Sequence, residues 1–136
     1  MEFVQNNLLL VIAAAASGAM LLWSIFGNRI SGINQVNTLE ATRLINNDAL
    51  VLDVREDSEW AIGHLPNAKH IPLGKLVGRV AELEKFKGKA IVINCRSGQR
   101  SARACAMLKK SGFENVHNLA GGITAWERAN LPISRK

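Results

Sequence analysis

Cys95 is the residue best placed in this sequence for covalent chemistry. The apolar residues 90–93, closed by Asn94, are typical of a buried parallel strand, and a helical pattern begins only near Arg100. The thiol is therefore expected where a strand ends and a helix begins, and unpaired backbone N–H groups at such a position stabilise an anion. This setting lowers a cysteine pKa from about 8.5 to roughly 3.5–7.5, which favours the nucleophilic thiolate at neutral pH.

The short loop after Cys95 carries groups that can hold an anionic substrate. Arg96 and Arg100 supply fixed positive charge, and Gly98 allows the backbone to curl so that several N–H groups converge. The alternative is that Cys95 is an ordinary buried cysteine beside surface arginines. A core cysteine has no need of two arginines and a glycine, so the pattern favours an anion-binding loop around a nucleophile.

The second cysteine, Cys105, does not complete a disulfide or a metal site in this reading. It follows Cys95 by ten residues with a helix expected between them, which separates the two by roughly 15 Å of helical rise. No CxxC motif or Cys/His cluster occurs, so neither a metal nor a cofactor is expected. Cys105 is predicted to be a small core residue, with a resolving thiol as the alternative.

Strands that alternate with helices predict an α/β domain with a mostly parallel sheet. The predicted strands are residues 35–37, 49–54, 69–71, 90–94 and 116–119, and the predicted helices are residues 38–46, 100–111 and 122–129. A loop or helix is predicted to start at Pro72. Functional loops of such sheets lie beyond the carboxyl ends of the strands, so Asp53, Arg55, Cys95 and residues 120–122 are expected to converge.

Helix boundaries and buried faces follow from the spacing of apolar residues. Thr38 is predicted to cap the first helix of the domain, and Leu39 is predicted to lie on its inner face. In the segment after Pro72, the predicted apolar face consists of Leu73, Leu76, Val77, Val80 and Leu83.

The chain begins with an apolar segment that matches a membrane anchor. Residues 8–26 form 19 residues without a charge, and as a helix they span roughly 28 Å, close to a bilayer core of about 30 Å. A cleaved signal peptide, the alternative, has a basic start and a shorter apolar run, whereas only Glu2 is charged before this one. We therefore expect an anchor over residues 1–27 and a linker over residues 28–35.

The charge distribution predicts an orientation for this anchor. All 17 Lys and Arg lie at or after Arg29, so residues 29–136 contain 17 basic and 10 acidic residues, a net charge of +7. The positive-inside tendency then places the C-terminal domain in the cytoplasm, at the inner membrane, where Cys95 stays reduced. The basic residues are spread along the domain, which favours proximity to anionic lipid over nucleic-acid binding.

Three motifs in the C-terminal part occur in a recognisable order. They are DVREDSEWAIGHLPNAKHIPL at 53–73, CRSGQR at 95–100 and LAGGITAW at 119–126. On these motifs, residues 36–134 resemble a single rhodanese domain, and with the apolar segment the chain is similar to membrane-anchored single-domain rhodaneses of bacteria. The resemblance implies a rhodanese-like three-layer α/β domain with a central mostly parallel sheet, preceded by one transmembrane helix.

The same resemblance implies a sulfurtransferase. Cys95 would take sulfur from a small anionic donor such as thiosulfate, hold it as a persulfide, and pass it to a thiol or cyanide-like acceptor. Arg55 would be a secondary contact to the substrate. The alternative is that Arg55 forms an ion pair with a carboxylate such as Glu59. Backbone N–H groups and guanidinium groups of the loop would bind substrate, through Arg96, Ser97, Gly98, Gln99 and Arg100. The anionic end of the donor is expected on Arg100 first and on Arg96 second.

The other motif positions are expected to be structural. Asp53 is expected to hold Arg55 or neighbouring backbone, and His64 to bond the backbone. Trp126 is expected to anchor the last helix, and glycines 121 and 122 to allow a close approach to the site. A solvated acidic turn is predicted from Glu56, Asp57 and Glu59.

Two other functions compete with sulfur transfer. Cysteine phosphatases of the same fold have five residues between Cys and Arg, whereas four separate Cys95 from Arg100, and Asn94 stands where many tyrosine phosphatases have His. The shorter loop favours the sulfur-transferring branch. A membrane-tethered adaptor or persulfide-delivery module that acts through a protein partner stays open as an alternative.

Overall fold

The computed structural model describes residues 5–30 and 33–135, with the side chains of residues 23–30 outside the description. Two compact units make up the chain, Met1–Gly32 and Ile33–Lys136. The first contains helix α1 (Leu8–Ile30). Within the described residues, no helix has the length and apolar character needed to cross a bilayer, so the predicted transmembrane helix is not confirmed. The side chains of positions 23–26 of the predicted anchor lie outside the described residues.

The second unit is built on a parallel sheet. Its strands are β1 (Asn34–Val36), β2 (Leu50–Asp53), β3 (Lys69–His70), β4 (Ile91–Asn94) and β5 (Val116–Leu119). They lie in the order β1-β5-β4-β2-β3, and each neighbouring pair runs parallel. The predicted α/β domain with a central parallel sheet is confirmed. β4 pairs with both β2 and β5, which places its carboxyl end in the middle of the sheet edge.

Helices cover both faces of the sheet. They are α2 (Thr38–Asn46), α3 (Asp57–Ile62), α4 (Leu73–Arg79), a 3-10 helix (Val80–Phe86), α5 (Gln99–Lys110) and α6 (Gly122–Arg128). Alternate strand residues enter two cores, as a period of two requires: Ile91 and Ile93 join one, and Val92 joins the other. Leu76 and Leu108 complete the first core, and the second is closed by Ala41, Ile123 and Trp126. The result is a three-layer domain.

The start of α2 differs from its prediction by one residue. Asn37, not Thr38, is the N-cap: its Oδ1 accepts the Glu40 N–H at 2.8 Å, and the Glu40 side chain accepts the Asn37 N–H at 3.5 Å. The inner face shifts accordingly. Leu39 is 60% exposed, whereas Ala41 is fully buried, because residues two positions apart lie on nearly opposite faces of a helix and α2 packs on the side of Ala41. The prediction that Leu39 faces the core was wrong.

The segment after Pro72 is also less regular than predicted. It contains the short helix α4 and then a 3-10 helix, so one continuous apolar face is not maintained. Leu76 and Leu83 are fully buried, but Val77 is 73% exposed. Val77 is turned about 100° from Leu76 around the helix, which carries it to the solvent side, so its predicted burial was wrong.

Candidate active site

Cys95 lies in the turn between β4 and α5. β4 ends at Asn94, and α5 begins at Gln99. Gly98 makes the turn with a left-handed backbone (φ 104°), which a residue without Cβ adopts at little cost. The Cys95 Sγ accepts the Gly98 N–H at 3.0 Å and the Ser101 Oγ–H at 3.3 Å, and the residue is 1% exposed. The sulfur is therefore enclosed by donors at the start of a helix.

These donors lower the pKa of the Cys95 thiol. Burial alone raises the pKa of Cys95 because it penalises the charged form. Hydrogen bonds from the Ser101 hydroxyl and from backbone N–H groups of Ser101, Gly98 and Ser97 act in the opposite direction and prevail, so the pKa lies below its ordinary value. The geometry favours the thiolate, the form that attacks sulfur.

A buried polar network extends from the sulfur to the first strand. The Ser101 Oγ lies 2.5 Å from Asn118 Oδ1, so a single hydroxyl proton is shared between the sulfur and this amide. Asn118 Nδ2 donates to the Gly98 carbonyl at 3.0 Å and to Gln35 Oε1 at 3.1 Å. Asn118 thus fixes both donors of the sulfur. The sequence analysis did not predict Asn118 as a site residue. A polar side chain within a buried strand indicates a hydrogen-bonded role, and this signal could have identified it.

The start of α6 holds the other side of the loop. The Ile123 N–H donates to the Cys95 carbonyl at 2.8 Å, and Thr124 donates to the Arg96 carbonyl from its N–H at 3.2 Å and its hydroxyl at 2.9 Å. A Cβ on Gly122 would lie 2.5 Å from the Cys95 carbonyl oxygen, so only glycine fits there. The predicted close approach of this glycine is confirmed. With the loop carbonyls bound to α6, the loop N–H groups turn toward the sulfur.

The two predicted substrate arginines of the loop differ in their surroundings. Arg100 binds Glu59 in a bidentate pair, with Nη1–Oε1 and Nη2–Oε2 distances of 2.6 and 2.9 Å. This guanidinium lowers the pKa of Glu59 to about 2. The expectation that Glu59 belongs to a solvated turn was wrong. Arg96, Ser97 and Gln99 are exposed, and the Arg96 guanidinium makes no hydrogen bond or ion pair with another described residue.

Comparison with known proteins identifies this arrangement. Residues 37–129 match the rhodanese-like domain family. The chain belongs to this family. A protein named sulfurtransferase from Allochromatium vinosum is 44% identical over 86 residues, which cover 63% of this chain and 78% of that protein. The uncharacterized protein YibN from Escherichia coli K12 is 34% identical over 137 residues, with 99% and 96% of the two chains covered.

A solved structure agrees with the fold. The crystal structure of a rhodanese-related protein from Thermoplasma volcanium is 30% identical, with a TM-score of 0.70 over 76% of this chain and 99% of that one. The rhodanese-like assignment therefore covers the unit that carries Cys95.

Arg55 of the rhodanese-like domain lies in a separate buried ion pair. Its Nε contacts Asp53 Oδ1 and Oδ2 at 3.1 and 2.9 Å, and its Nη2 lies 2.8 Å from Asp53 Oδ2 and donates to the Gly63 carbonyl at 2.6 Å. The Asp53 carboxylate also accepts the Arg55 N–H at 2.9 Å, so the predicted partnership of these two residues is confirmed. The partner of Arg55 is Asp53 rather than Glu59, and the role of Arg55 in substrate binding stays a prediction.

An aromatic stack positions α3, the helix that carries Glu59. The Trp60 ring stacks on the His64 ring at 3.5 Å and on the His70 ring at 4.6 Å between centroids, and the planes are nearly parallel in both pairs. His64 Nδ1 donates to the Leu65 carbonyl at 3.0 Å, which confirms its predicted backbone bond. His70 Nε2 donates to the Arg55 carbonyl at 2.7 Å. Glu59 therefore meets Arg100 from a fixed helix.

Cys105 has the surroundings of a core residue. It is fully buried on α5, and burial raises the pKa of its thiol to about 12. The predicted core role is confirmed, and the pKa values of the two thiols are shifted in opposite directions. In residues 5–30 and 33–135, no group of three His, Cys, Asp or Glu side chains is placed to hold a metal ion.

Proposed function

We propose that this rhodanese-like protein is a sulfurtransferase that carries a sulfane sulfur as a persulfide on Cys95. The observation that supports this most strongly is the pair of hydrogen bonds from the Gly98 N–H and the Ser101 hydroxyl to Sγ. The same donors that stabilise a thiolate stabilise the negative charge of a persulfide. The relative from Allochromatium vinosum that is named sulfurtransferase supports the same reaction class.

The proposed reaction has two balanced steps. The Cys95 thiolate attacks the outer sulfur of a thiosulfate-like donor, a new S–S bond forms, and the S–S bond of the donor breaks so that sulfite leaves with its electron pair. A thiophilic acceptor, such as cyanide or a thiolate, then attacks the outer sulfur of the persulfide. The Cys95 thiolate leaves, so the enzyme returns to its starting state.

We propose that Arg96 is the main residue that binds the anionic end of the donor. Its guanidinium is exposed beside the nucleophile and is not engaged by another described residue. Arg100 is neutralised by the Glu59 carboxylate at 2.6 Å, so it contributes less net charge to a ligand. This order reverses the sequence-based expectation, in which Arg100 came before Arg96. The N–H groups of Ser97, Gly98 and Gln99 complete the proposed binding loop.

Sulfur transfer from thiosulfate to cyanide, followed by thiocyanate formation, tests this proposal. We expect the full-length chain to form thiocyanate, the Cys95→Ser variant to lose at least about a thousandfold in rate because the nucleophile is gone, and the Cys105→Ser variant to keep most activity. Equal loss in both variants would assign a redox role to Cys105. Full activity of Cys95→Ser would overturn the proposal.

We also propose that residues 8–26 anchor the protein in the bacterial inner membrane with the catalytic domain in the cytoplasm. Support comes from the 19 uncharged residues, from their helical conformation in α1, and from exposed apolar side chains such as Leu9 and Met20. The basic balance of residues 29–136 supports the orientation. A fluorescent protein fused after Lys136 is expected to mature, because that domain folds in the cytoplasm. A fused alkaline phosphatase that is active instead would reverse the orientation.

A second candidate function follows from the same segment. A membrane-tethered delivery module passes its persulfide to a protein partner rather than to a small acceptor, and an anchor favours delivery at the bilayer. Crosslinking of the persulfidated chain in membranes distinguishes the two. One crosslinked protein that gains the sulfane sulfur on a cysteine of its own, while the Cys95 thiolate is released, favours delivery. Rapid turnover of small thiols with no such protein favours the enzyme.

A further inference from the structure

The side-chain amide of Asn118 is fixed in one orientation within the network around Cys95. Its Nδ2 donates to the Gly98 carbonyl at 3.0 Å and to Gln35 Oε1 at 3.1 Å. A backbone carbonyl cannot donate a hydrogen bond, so a flipped amide would set its oxygen against the Gly98 oxygen. The loop at Gly98 and Gln35 on β1 therefore direct Oδ1 of Asn118 toward Ser101.

The Ser101 hydroxyl has one proton and two acceptors for it. Its Oγ lies 2.5 Å from Asn118 Oδ1 and 3.3 Å from Cys95 Sγ. The amide oxygen has no proton to donate, and a hydroxyl has only one. Ser101 is fully buried, and Cys95 and Asn118 are 1% and 2% exposed, so bulk water does not supply a replacement donor. The sulfur and the amide oxygen therefore compete for one proton.

The outcome of this competition depends on the charge of the sulfur. A neutral thiol is a weak acceptor, so the proton then lies in the short contact to Asn118. A thiolate is a stronger acceptor, because hydrogen bonds to ionised groups are roughly twice as strong as neutral ones. The hydroxyl then turns about its Cβ–Oγ bond toward Sγ and keeps its proton covalently. The buried Asn118 oxygen loses its donor, and this loss opposes the gain at the sulfur.

The charged groups near the sulfur belong to the loop and to α3. Arg100 acts on the Cys95 sulfur and is itself bound to Glu59, and Arg96 is exposed. The side chain that β5 contributes, Asn118, carries no charge. A substitution of Asn118 by another uncharged residue therefore reaches the sulfur through hydrogen bonds and leaves these charges in place.

We propose that Asn118 is a positioning residue that limits how far the Ser101 hydroxyl stabilises the charged Cys95 sulfur, and so keeps this sulfur a strong nucleophile. This inference rests on the proposed sulfurtransferase function. A less stabilised thiolate attacks sulfur faster, whereas a more stabilised thiolate is the better leaving group. Asn118 therefore favours the loading step, in which Cys95 attacks the donor, over the unloading step, in which the Cys95 thiolate leaves.

A double-mutant cycle of Asn118 and Ser101 tests this role without sulfur transfer. Thiolate absorbance against pH gives the acid dissociation constant of Cys95 in the full-length chain in mild detergent. We expect Asn118→Leu to raise this constant at least about threefold more in the unaltered chain than in Ser101→Ala, which lacks the shared proton. Any disturbance of the Gly98 turn is common to both backgrounds and cancels.

An exposed asparagine provides the control for this cycle. Asn115→Leu, three residues before Asn118, is expected to leave the dissociation constant within about 1.5-fold in both backgrounds. Equal effects of Asn118→Leu in the two backgrounds would overturn the inference.

The two half-reactions provide the second test. Loading by thiosulfate, at a pH above the thiol pKa, and unloading by cyanide are measured as separate rate constants. We expect Asn118→Leu to slow loading and speed unloading, so that the ratio of unloading to loading rises at least about threefold. In the Ser101→Ala background the same substitution is expected to leave this ratio within about 1.5-fold. A parallel loss in both steps would indicate a purely structural role and overturn the inference.

A third measurement does not need the Asn118→Leu variant to fold. The side-chain amide nitrogen signal of Asn118 is followed by NMR while Cys95 titrates. We expect a shift at least about twice as large in the unaltered chain as in Ser101→Ala, because the amide oxygen has a donor to lose only when Ser101 is present. Equal shifts would overturn the inference. Failure of the unaltered chain to load sulfur would instead refute the sulfurtransferase proposal, and the thiol titrations would still decide the role of Asn118.

Discussion

The reactivity of Cys95 depends on a small number of hydrogen bonds around one sulfur atom. The Ser101 hydroxyl is the donor that can be removed without altering the backbone, and it lies 3.3 Å from Sγ. Its other contact, Asn118 Oδ1, is buried and depends on the same hydroxyl. The effects of this side chain on thiol pKa and on folding can therefore be measured together.

Replacing Ser101 with alanine is expected to raise the pKa of Cys95, since a donor that lowers it is lost. The buried Asn118 oxygen loses its partner, which costs about 1–3 kcal/mol of unfolding free energy. Thiolate absorbance at 240 nm against pH measures the first effect, and urea unfolding measures the second. Ser111→Ala, at the exposed end of α5, is the control. A thiol that titrates at the same pH in Ser101→Ala and in the unaltered chain would contradict this account.

The Glu59–Arg100 pair makes a pH-dependent contribution to stability. The pKa of Glu59 falls from 4.5 to about 2 on folding, so the pair stabilises the fold fully above pH 4.5, and this stabilisation is lost as the pH falls toward 2. Glu59→Gln is expected to lower the unfolding free energy at pH 7, with a difference that shrinks from pH 5 to pH 3. Urea unfolding across this range measures it, with the exposed Glu84→Gln as the control. A pH-independent difference would show that the charge is not responsible.

Residue chemistry was predictable from the sequence where it depends on neighbours along the chain. Cys95, Gly98 and the strand-loop-helix setting follow from local order, and so does the bond between Asp53 and Arg55. Glu59 and Arg100 are 41 positions apart, and their contact requires α3 to lie beside the loop. No local pattern reports that placement.

At the scale of elements, α6 acts as a brace for the loop through its first turn. Gly122 has a left-handed backbone (φ 58°), and its Cα lies too close to the Cys95 carbonyl for a side chain. The elements themselves were largely predictable from apolar spacing, and β5 begins and ends where predicted. The cap of α2 was not predicted, because Asn37 and Thr38 are both good N-cap residues. The exposure of Val77 was not predicted either, because α4 ends at Arg79 and a 3-10 helix follows, so one apolar face does not continue through the segment.

Replacing Gly122 with alanine is expected to cost about 2–3 kcal/mol of unfolding free energy and most sulfur-transfer activity, because the new Cβ meets the loop backbone in a strained conformation. Gly78→Ala in α4 is the matched control. No atom lies within 4 Å of its Cβ position, so alanine there is expected to stabilise by about 0.5–1 kcal/mol. Urea unfolding and thiocyanate formation measure both variants. Equal stability of the two would disprove the bracing role of α6.

At the scale of the whole molecule, the proposed membrane anchor and the proposed catalytic residues belong to different compact units. All residues of the sheet and of the Cys95 network belong to Ile33–Lys136, and α1 belongs to Met1–Gly32. The composition predicted this division, since the apolar segment 8–26 has no Lys or Arg and residues 29–136 contain all seventeen.

Removal of residues 1–30 is expected to abolish flotation with liposomes and to leave thiosulfate:cyanide transfer within about twofold, because every contact to Cys95 is retained. Density-gradient flotation and thiocyanate formation measure the two properties. Flotation of the truncated chain would place the membrane contact in the catalytic unit. Aggregation of the truncated chain would show that α1 contributes to the fold.

The most direct measurement of the central claim is the mass of Cys95 after thiosulfate treatment without an acceptor. Intact-mass spectrometry of the full-length chain under nonreducing conditions is predicted to show a gain of one sulfur atom, which peptide mapping assigns to Cys95 and not to Cys105. A later addition of cyanide is predicted to return the mass to its starting value. An unchanged mass after thiosulfate, or a gain that maps to Cys105, would contradict the account.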